Sequence, residues 1–264
     1  MSSYQFGAGQ MWATPLTDAF GNAIANPTPY FFGVTQEVSI DESSDMKPLY
    51  GQNAFPVAIG RGKQKLSVKV KFAQMYTGLI NALWFGQPAQ QANTSYQDVY
   101  DTTGILIPAT PFQITITTGA ASLVNIQIPS SGTFVAILGI LNANGIAMTR
   151  VASAPTTGQF SLSSTTLTFA AADTGLRVFI CYQYTIASAG QNIAVQNLPM
   201  GYAPTFQADF QVVYQGKPYV RTFYQCIATG QKFQTKLDDF AVPELDFECF
   251  ADGTNRVTRF SMLE

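Results

Sequence analysis

Apolar and polar residues alternate with period two along much of this 264-residue chain, and that alternation restricts the fold more than any other feature. A period of two is the signature of strands with one buried face. In KLSVKVKF, Leu66, Val68, Val70 and Phe72 share one face, and Lys65, Ser67, Lys69 and Lys71 share the other. In RVFICYQYTI, the residues Val178, Ile180, Tyr182, Tyr184 and Ile186 fall together. Residues 208–228 read as two strands joined by a turn at Gln215-Gly216-Lys217-Pro218. FGVTQEVSI (32–40), FQITI (112–116) and SLVNIQI (122–128) add strands, and Asn144-Gly145 marks a hairpin tip. FVAILGIL (134–141) reads as a buried strand, being far shorter than the roughly 20 residues a membrane helix needs.

One segment has a helical period. In TGLINALWFG (77–86), Leu79, Ile80, Leu83 and Trp84 form one stripe, and Gly86 stands where a terminating glycine belongs. The fold class expected is all-β with one packed α-helix. The charged residues then divide the chain. Of 14 basic and 16 acidic residues, only Arg150, Asp173 and Arg177 lie between 102 and 195. That stretch reads as an inserted β-rich segment, 100–195, between two halves of a core domain, 1–99 and 196–264. The boundaries have linker composition.

Charged residues are 11% of the chain, against a usual share of about 25%, so much of the surface is either uncharged polar or buried against partners. The net charge of −2 supplies no positive field for holding nucleic acid non-specifically. Histidine is absent, which removes Ser-His-Asp and Cys-His catalysis, imidazole acid/base work and most zinc sites. Cys181, Cys226 and Cys249 have no CxxC spacing and read as buried free thiols of a protein made in a reducing compartment. The N-terminal residues show no basic region followed by an apolar core, so no secretory signal is expected. No catalytic residue, metal site or cofactor is expected, and the chain does not read as an enzyme.

Two charged strand patterns mirror each other. GRGKQKLSVKVKF (60–72) holds Arg61, Lys63, Lys65, Lys69 and Lys71 and no acid. ELDFEC alternates Glu244, Asp246 and Glu248 with Leu245, Phe247 and Cys249. Each has one apolar face and one face of a single sign, so the two strands suit each other as neighbours, within a subunit or between subunits. The basic face carries no aromatic of the kind nucleic-acid platforms use, since Phe72 points to the apolar side. An ion-paired or solvated face is therefore the reading the residues support. The alternating acids also fit a glycosidase pair, but same-face spacing of that kind occurs on many strands. Asp252-Gly-Thr-Asn begins like a calcium loop and then stops. Between the strand ending at Ile40 and the one starting near Val57, DESSDMKPLYGQNAFP (41–56) has little periodicity and reads as a long loop. Its Leu49, Tyr50 and Phe55 would either fold back on the core or dock on a partner.

Taken together, residues 31–86 and 236–253 resemble the phage tail tube proteins, and PTTGQFSLSSTTLTFAAADTGLRVFICYQYT (155–185) resembles a segment of longer members. The resemblance rests on the order strand, long loop with LYG and FPVA, long strand, helix, and later an acidic strand and turn. It implies a tail-tube-type β-sandwich whose strands join a hexameric β-barrel, in rings stacked into a tube that conducts DNA during ejection. The partners implied are further copies of the chain, the tape measure protein and passing DNA in the lumen, and tail terminator and baseplate or tip proteins, with no membrane. The location implied is the virion tail, assembled in the host cytoplasm. Contacts between rings or subunits would fall on Asp41, Lys47, Leu49, Tyr50, Gly51, Gln52, Phe55 and Pro56, with an N-terminal arm, about 1–12, adding to them. Lys63, Lys65, Lys69, Lys71, Glu244, Asp246 and Glu248 would be ion-paired or lumen-lining. The competing expectation is a carbohydrate-binding or adhesin-type β-sandwich, which would want exposed aromatic platforms.

Overall fold

A computed structural model describes residues 6–74, 76–87, 91–118 and 126–262. It is mostly β-sheet, 56% strand, with a single short helix. In chain order the strands are β1 (Gln10–Pro15), β2 (Tyr30–Phe31), β3 (Thr35–Tyr50), β4 (Pro56–Phe72), β5 (Gln91–Val99), β6 (Ile105–Leu106), β7 (Gln113–Thr118), β8 (Ile126–Ile128) and β9 (Gly132–Asn142). They continue with β10 (Thr149–Val151), β11 (Gln159–Ser163), β12 (Thr166–Phe169), β13 (Arg177–Asn192), β14 (Thr205–Tyr214), β15 (Lys217–Lys232), β16 (Glu244–Cys249) and β17 (Thr258–Met262). The helix α1 (Thr77–Ile80) follows β4 and runs on into a wider turn, Asn81–Phe85. Two compact units result: Met1–Pro88 with Ile193–Glu264, and Ala89–Asn192. The insert therefore begins before residue 100 and ends before 195. The reason is pairing: β5 hydrogen-bonds to β13 from Val99 back to Gln91, so it belongs with the insert.

The first unit is one continuous sheet in the order β2-β1-β14-β15-β16-β4-β3, with β17 also on β15. β2 and β3 stand at opposite ends of that order, yet residues 32–34 alone link them. Seven strands about 4.8 Å apart would place the ends of a flat sheet roughly 29 Å apart. A three-residue link spans at most about 14 Å. The sheet is therefore rolled on itself. At the seam Thr35 Oγ1 donates to the Gly9 carbonyl at 2.6 Å, and the Phe32 and Phe72 rings meet edge-on at 5.6 Å. Inside lie Met11, Leu66, Val68, Val70, Phe72, Phe206, Phe223, Leu245 and Phe247. Leu79, Ile80 and Leu83 of the helical segment join the same core, with Trp84 half-buried beside them, as the helical stripe predicts. Gly86 ends the helix at φ 57°, and a Cβ there would sit 2.6 Å from the Ala19 nitrogen, so only glycine fits. The β14–β15 turn is tighter than the sequence suggests. Gln215 and Gly216 alone have positive φ, as a two-residue primed turn requires, and Pro218 is already paired with Val213.

The second unit is a two-sheet sandwich. One sheet runs β10-β11-β12-β7-β8; the other has β13 between β5 and β6 on one side and β9 on the other. Ile114, Ile116, Phe160, Leu167 and Phe169 of the first face Ile140, Val178, Ile180 and Tyr182 of the second. The expected burial of FVAILGIL is corrected here. The register against β13 slips twice, leaving Val135 and Leu138 as extra residues, and these two with Leu141 are exposed. Bulges turn an apolar run that reads as wholly interior into a strand with one wet edge. The Asn144-Gly145 tip is a tight turn, in which Asn142 Oδ1 accepts from the amides of Asn144 and Ile146. Of the expected strand 122–128, residues 122–125 lie outside the described residues.

Phe247 is fully buried, with ring centroids 5.3 Å from Phe206 and 6.2 Å from Phe223. Phe247→Ala is expected to destabilise the first unit by about 3–5 kcal/mol, read from denaturant unfolding.

Candidate functional site

Two features of the first unit stand out, and both grow from β4. Its inner half is sheet; its outer half is an arm. β16 pairs with β4 only from Leu66 to Lys71, whereas β3 stays paired with β4 as far as Tyr50 and Pro56. Beyond Leu66 the ribbon has two strands, and among the described residues no third strand pairs with it. From Asp41 to Lys65 all residues but Ser44, Pro56 and Gly62 are exposed. At about 3.4 Å per residue this arm projects roughly 30 Å.

The expected 41–56 loop is thus corrected. Residues 41–50 are strand, the turn is only Gly51–Phe55, and β4 starts at Pro56. The ladder sets Asp41 against Ser67, Lys47 against Gly60, Leu49 against Ala58 and Tyr50 against Pro56. Gly51, Gln52 and Phe55 lie in the tip. The sequence hides this because neither face of the arm is buried, so no period of two is imposed on it. Pro48 sits on β3, an edge strand, where a missing N–H costs no interior ladder bond. The arm exposes Met46 (59%), Leu49 (64%), Tyr50 (61%), Phe55 (83%), Val57 (73%) and Ile59 (62%). Met46, Val57 and Ile59 were not singled out from sequence, because isolated apolar residues in an unpatterned stretch carry no signal.

The second feature is a ladder of charge on the outer face of β3, β4, β16 and β15. The register sets Lys71 opposite Glu244 and Lys69 opposite Asp246. Lys65 Nζ lies 2.6 Å from Glu248, and Lys71 Nζ 2.6 Å from Glu37. Glu244 receives Lys232 at 2.9 Å and Lys69 at 3.3 Å. Asp246 lies 3.7 Å from Lys232 and 3.9 Å from Lys69, an electrostatic rather than a hydrogen-bonded distance. Gly230, next to a bulge at Thr229, makes room, since a Cβ there would press within 3.2 Å of Asp246 Oδ2. Four cations, Lys65, Lys69, Lys71 and Lys232, thus meet four carboxylates, Glu37, Glu244, Asp246 and Glu248. Lys63 stands apart on the arm, in the bulged stretch where Gly62 and Lys63 oppose Asp45, and makes no ion pair among the described residues. Lys232 and Glu37 were missed from sequence; their strands needed the register to place them.

The hydrogen bond from Lys232 and the proximity of Lys69 hold the Glu244 carboxyl below its usual range, and Glu37 and Glu244 raise Lys71 and Lys232 respectively. An acid held ionised is the opposite of what a glycosidase proton donor requires. Asp252, the start of the calcium-like stretch, is occupied by its own turn. Its carboxylate accepts from the amides of Thr254 and Arg256, the Thr254 hydroxyl and Arg256 Nε, and these bonds, the Arg256 amide foremost, depress its pKa. Among the described residues no three His, Cys, Asp or Glu side chains cluster as a metal site would need, and no helix is long and apolar enough to cross a membrane. Of the expected N-terminal arm, residues 1–5 lie outside the described residues, and Gln10–Trp12 are already part of β1. No protein-family model matches the chain, and no curated protein matches it.

Reversing Glu244, Asp246 and Glu248 together to lysine is expected to lower stability by about 2 kcal/mol or more, an effect that shrinks in 1 M salt, by denaturant unfolding. The sign of the pH dependence follows from the shifts. The depressed Glu244 contributes stability above its unfolded pKa of about 4.3, lost as pH falls through its folded value. The raised Lys71 and Lys232 contribute below about 10.4, lost as pH rises through their folded values. Thermal stability is expected to fall on both flanks, and a flat profile between pH 3 and 5 in wild type would contradict the ladder.

Proposed function

We propose that this chain is a structural subunit of the phage tail tube class, assembling with copies of itself into stacked rings around a bore through which DNA passes. The observation that carries the reading is the arm. An isolated two-stranded ribbon is marginal in water, and its unpaired edges are templates for another chain. Six large apolar groups stand exposed on it. Burying each stabilises by about 1.5–3 kcal/mol gross, before the cost of association. Such a surface suits contact with the next ring, with Leu49, Tyr50 and Phe55 as anchors. Head-to-tail contacts that do not close give an open filament, and side-by-side contacts that do close give a ring, here six-fold by resemblance. The neutralised ladder suits a tube as well: a wall that gripped phosphate would impede DNA, whereas paired lysines hold it weakly. The tape measure protein, tail terminator and baseplate or tip proteins are the further partners this role implies, and the virion tail is its location.

One observation favours the second reading, a glycan-binding module. Trp12 and Phe31 pair on neighbouring strands at 4.8 Å, both exposed, as an aromatic platform would be. Negative-stain microscopy of concentrated protein separates the two. Wild type is expected to form tubes or six-fold rings with a central hole. Leu49→Asp combined with Phe55→Asp is expected to abolish them while shifting monomer stability by no more than about 0.5 kcal/mol. Unchanged tubes from that variant would sink the arm's role. Monodisperse wild-type monomers that bind a glycan column, with binding lost in Trp12→Ala, would replace the tube reading with the second.

A further inference from the structure

Cys226 and Cys249 are 23 residues apart in sequence and directly opposite each other on β15 and β16, with their sulfurs 3.4 Å apart. The neighbouring rung is the hydrogen-bonded one, since the Phe250 amide donates to the Gln225 carbonyl at 3.0 Å. The Cys226–Cys249 rung is therefore non-hydrogen-bonded. Such rungs bring Cα atoms to about 4.5 Å, inside the roughly 4.4–6.8 Å that disulfides span. Bond formation there breaks no ladder hydrogen bond and needs the sulfurs to close by little more than 1 Å, to about 2.0 Å.

The two thiols differ in access. Cys226 is fully buried, whereas Cys249 is partly exposed and lines a groove with Glu42, Lys65, Phe250 and Thr258. We propose that this pair is an oxidation site: Cys249 reacts with a low-molecular-weight disulfide arriving through the groove, and Cys226 resolves the adduct into an intrachain cross-strand disulfide. In the first step the Cys249 thiolate attacks one sulfur of the reagent and expels its other half as a thiol. In the second, Cys226 gives up its proton and attacks the Cys249 sulfur, expelling the second thiol. Two protein thiols become one disulfide, and the reagent disulfide is reduced to two thiols. Burial raises the Cys226 pKa strongly, so the second step is the slow one. The product closes the chain between two core strands and constrains the unfolded state. In a reducing compartment the pair stays open; in oxidising surroundings it staples β15 to β16. This inference does not rest on the assembly reading.

The experiment is incubation of the full chain with oxidised glutathione, followed by thiol counting after denaturation and peptide mass mapping. Free thiols are expected to fall from three to one, that one being Cys181, which lies in the other unit. The mass is expected to drop by two hydrogens, with the mapped bond Cys226–Cys249 and a Tm raised by several degrees. Cys226→Ala is expected to stop at a glutathione adduct on Cys249, and Cys249→Ala to leave Cys226 unmodified. Three thiols surviving in wild type, a lasting glutathione adduct there, or bonds to Cys181 or between chains would overturn the proposal.

Discussion

The register of β16 against β4 is the constraint on which the first unit depends. It sets Leu245 against Val70 and Phe247 against Val68 in the core, and Glu244 and Asp246 against Lys71 and Lys69 outside. A slip of one residue would move every side chain to the other face, placing carboxylates among phenylalanines and leaving Lys65, Lys69 and Lys232 without their partners. The apolar row and the charge ladder are therefore one device seen from two sides. The apolar row supplies the stability. The ion pairs, each exposed at one partner or both, contribute little individually and act chiefly by making other registers unfavourable. The same register brings Cys226 and Cys249 within reach of each other.

The arm has the opposite economy. Inside the rolled sheet β4 is flanked by β3 and β16; beyond Leu66 it loses β16, and its apolar residues face water. Among the described residues no other strand covers that exposure. A ribbon roughly 30 Å long with open edges gains from a second surface that supplies strand partners and apolar contacts. The inserted unit shows a milder version: the bulged β9 presents Val135, Leu138 and Leu141 on a strand with few charged neighbours in the sequence. Low charge and exposed apolar groups in the same chain accord with a protein whose surface is largely interface.

Where one face is buried, the sequence was legible. The Leu66–Phe72 strand, the Val178–Ile186 strand and the helical stripe ending at Gly86 all lie where period puts them. The readings that failed share a cause. The arm reads as a loop in the sequence because a ribbon wet on both faces has no hydrophobic period. The burial of 134–141 was overstated because a bulge changes which side a residue faces without changing composition. The inserted unit begins before residue 100 because β5 belongs to whichever strand it hydrogen-bonds, and β13 is more than 80 residues downstream.

The sequence by itself determined that the chain is all-β with one helix, that its middle third stands apart, and that one strand carries lysines and another acids. Those are local facts, written in side-chain period and charge. Only the tertiary structure decided that the two charged strands are neighbours in one sheet, that this sheet rolls until β2 and β3 meet through three residues, and that two distant thiols share a rung. Each of these is set by which strand pairs with which, and pairing is non-local: the ladder bonds are the same backbone groups everywhere. The choice among partners falls to the packing of the whole core.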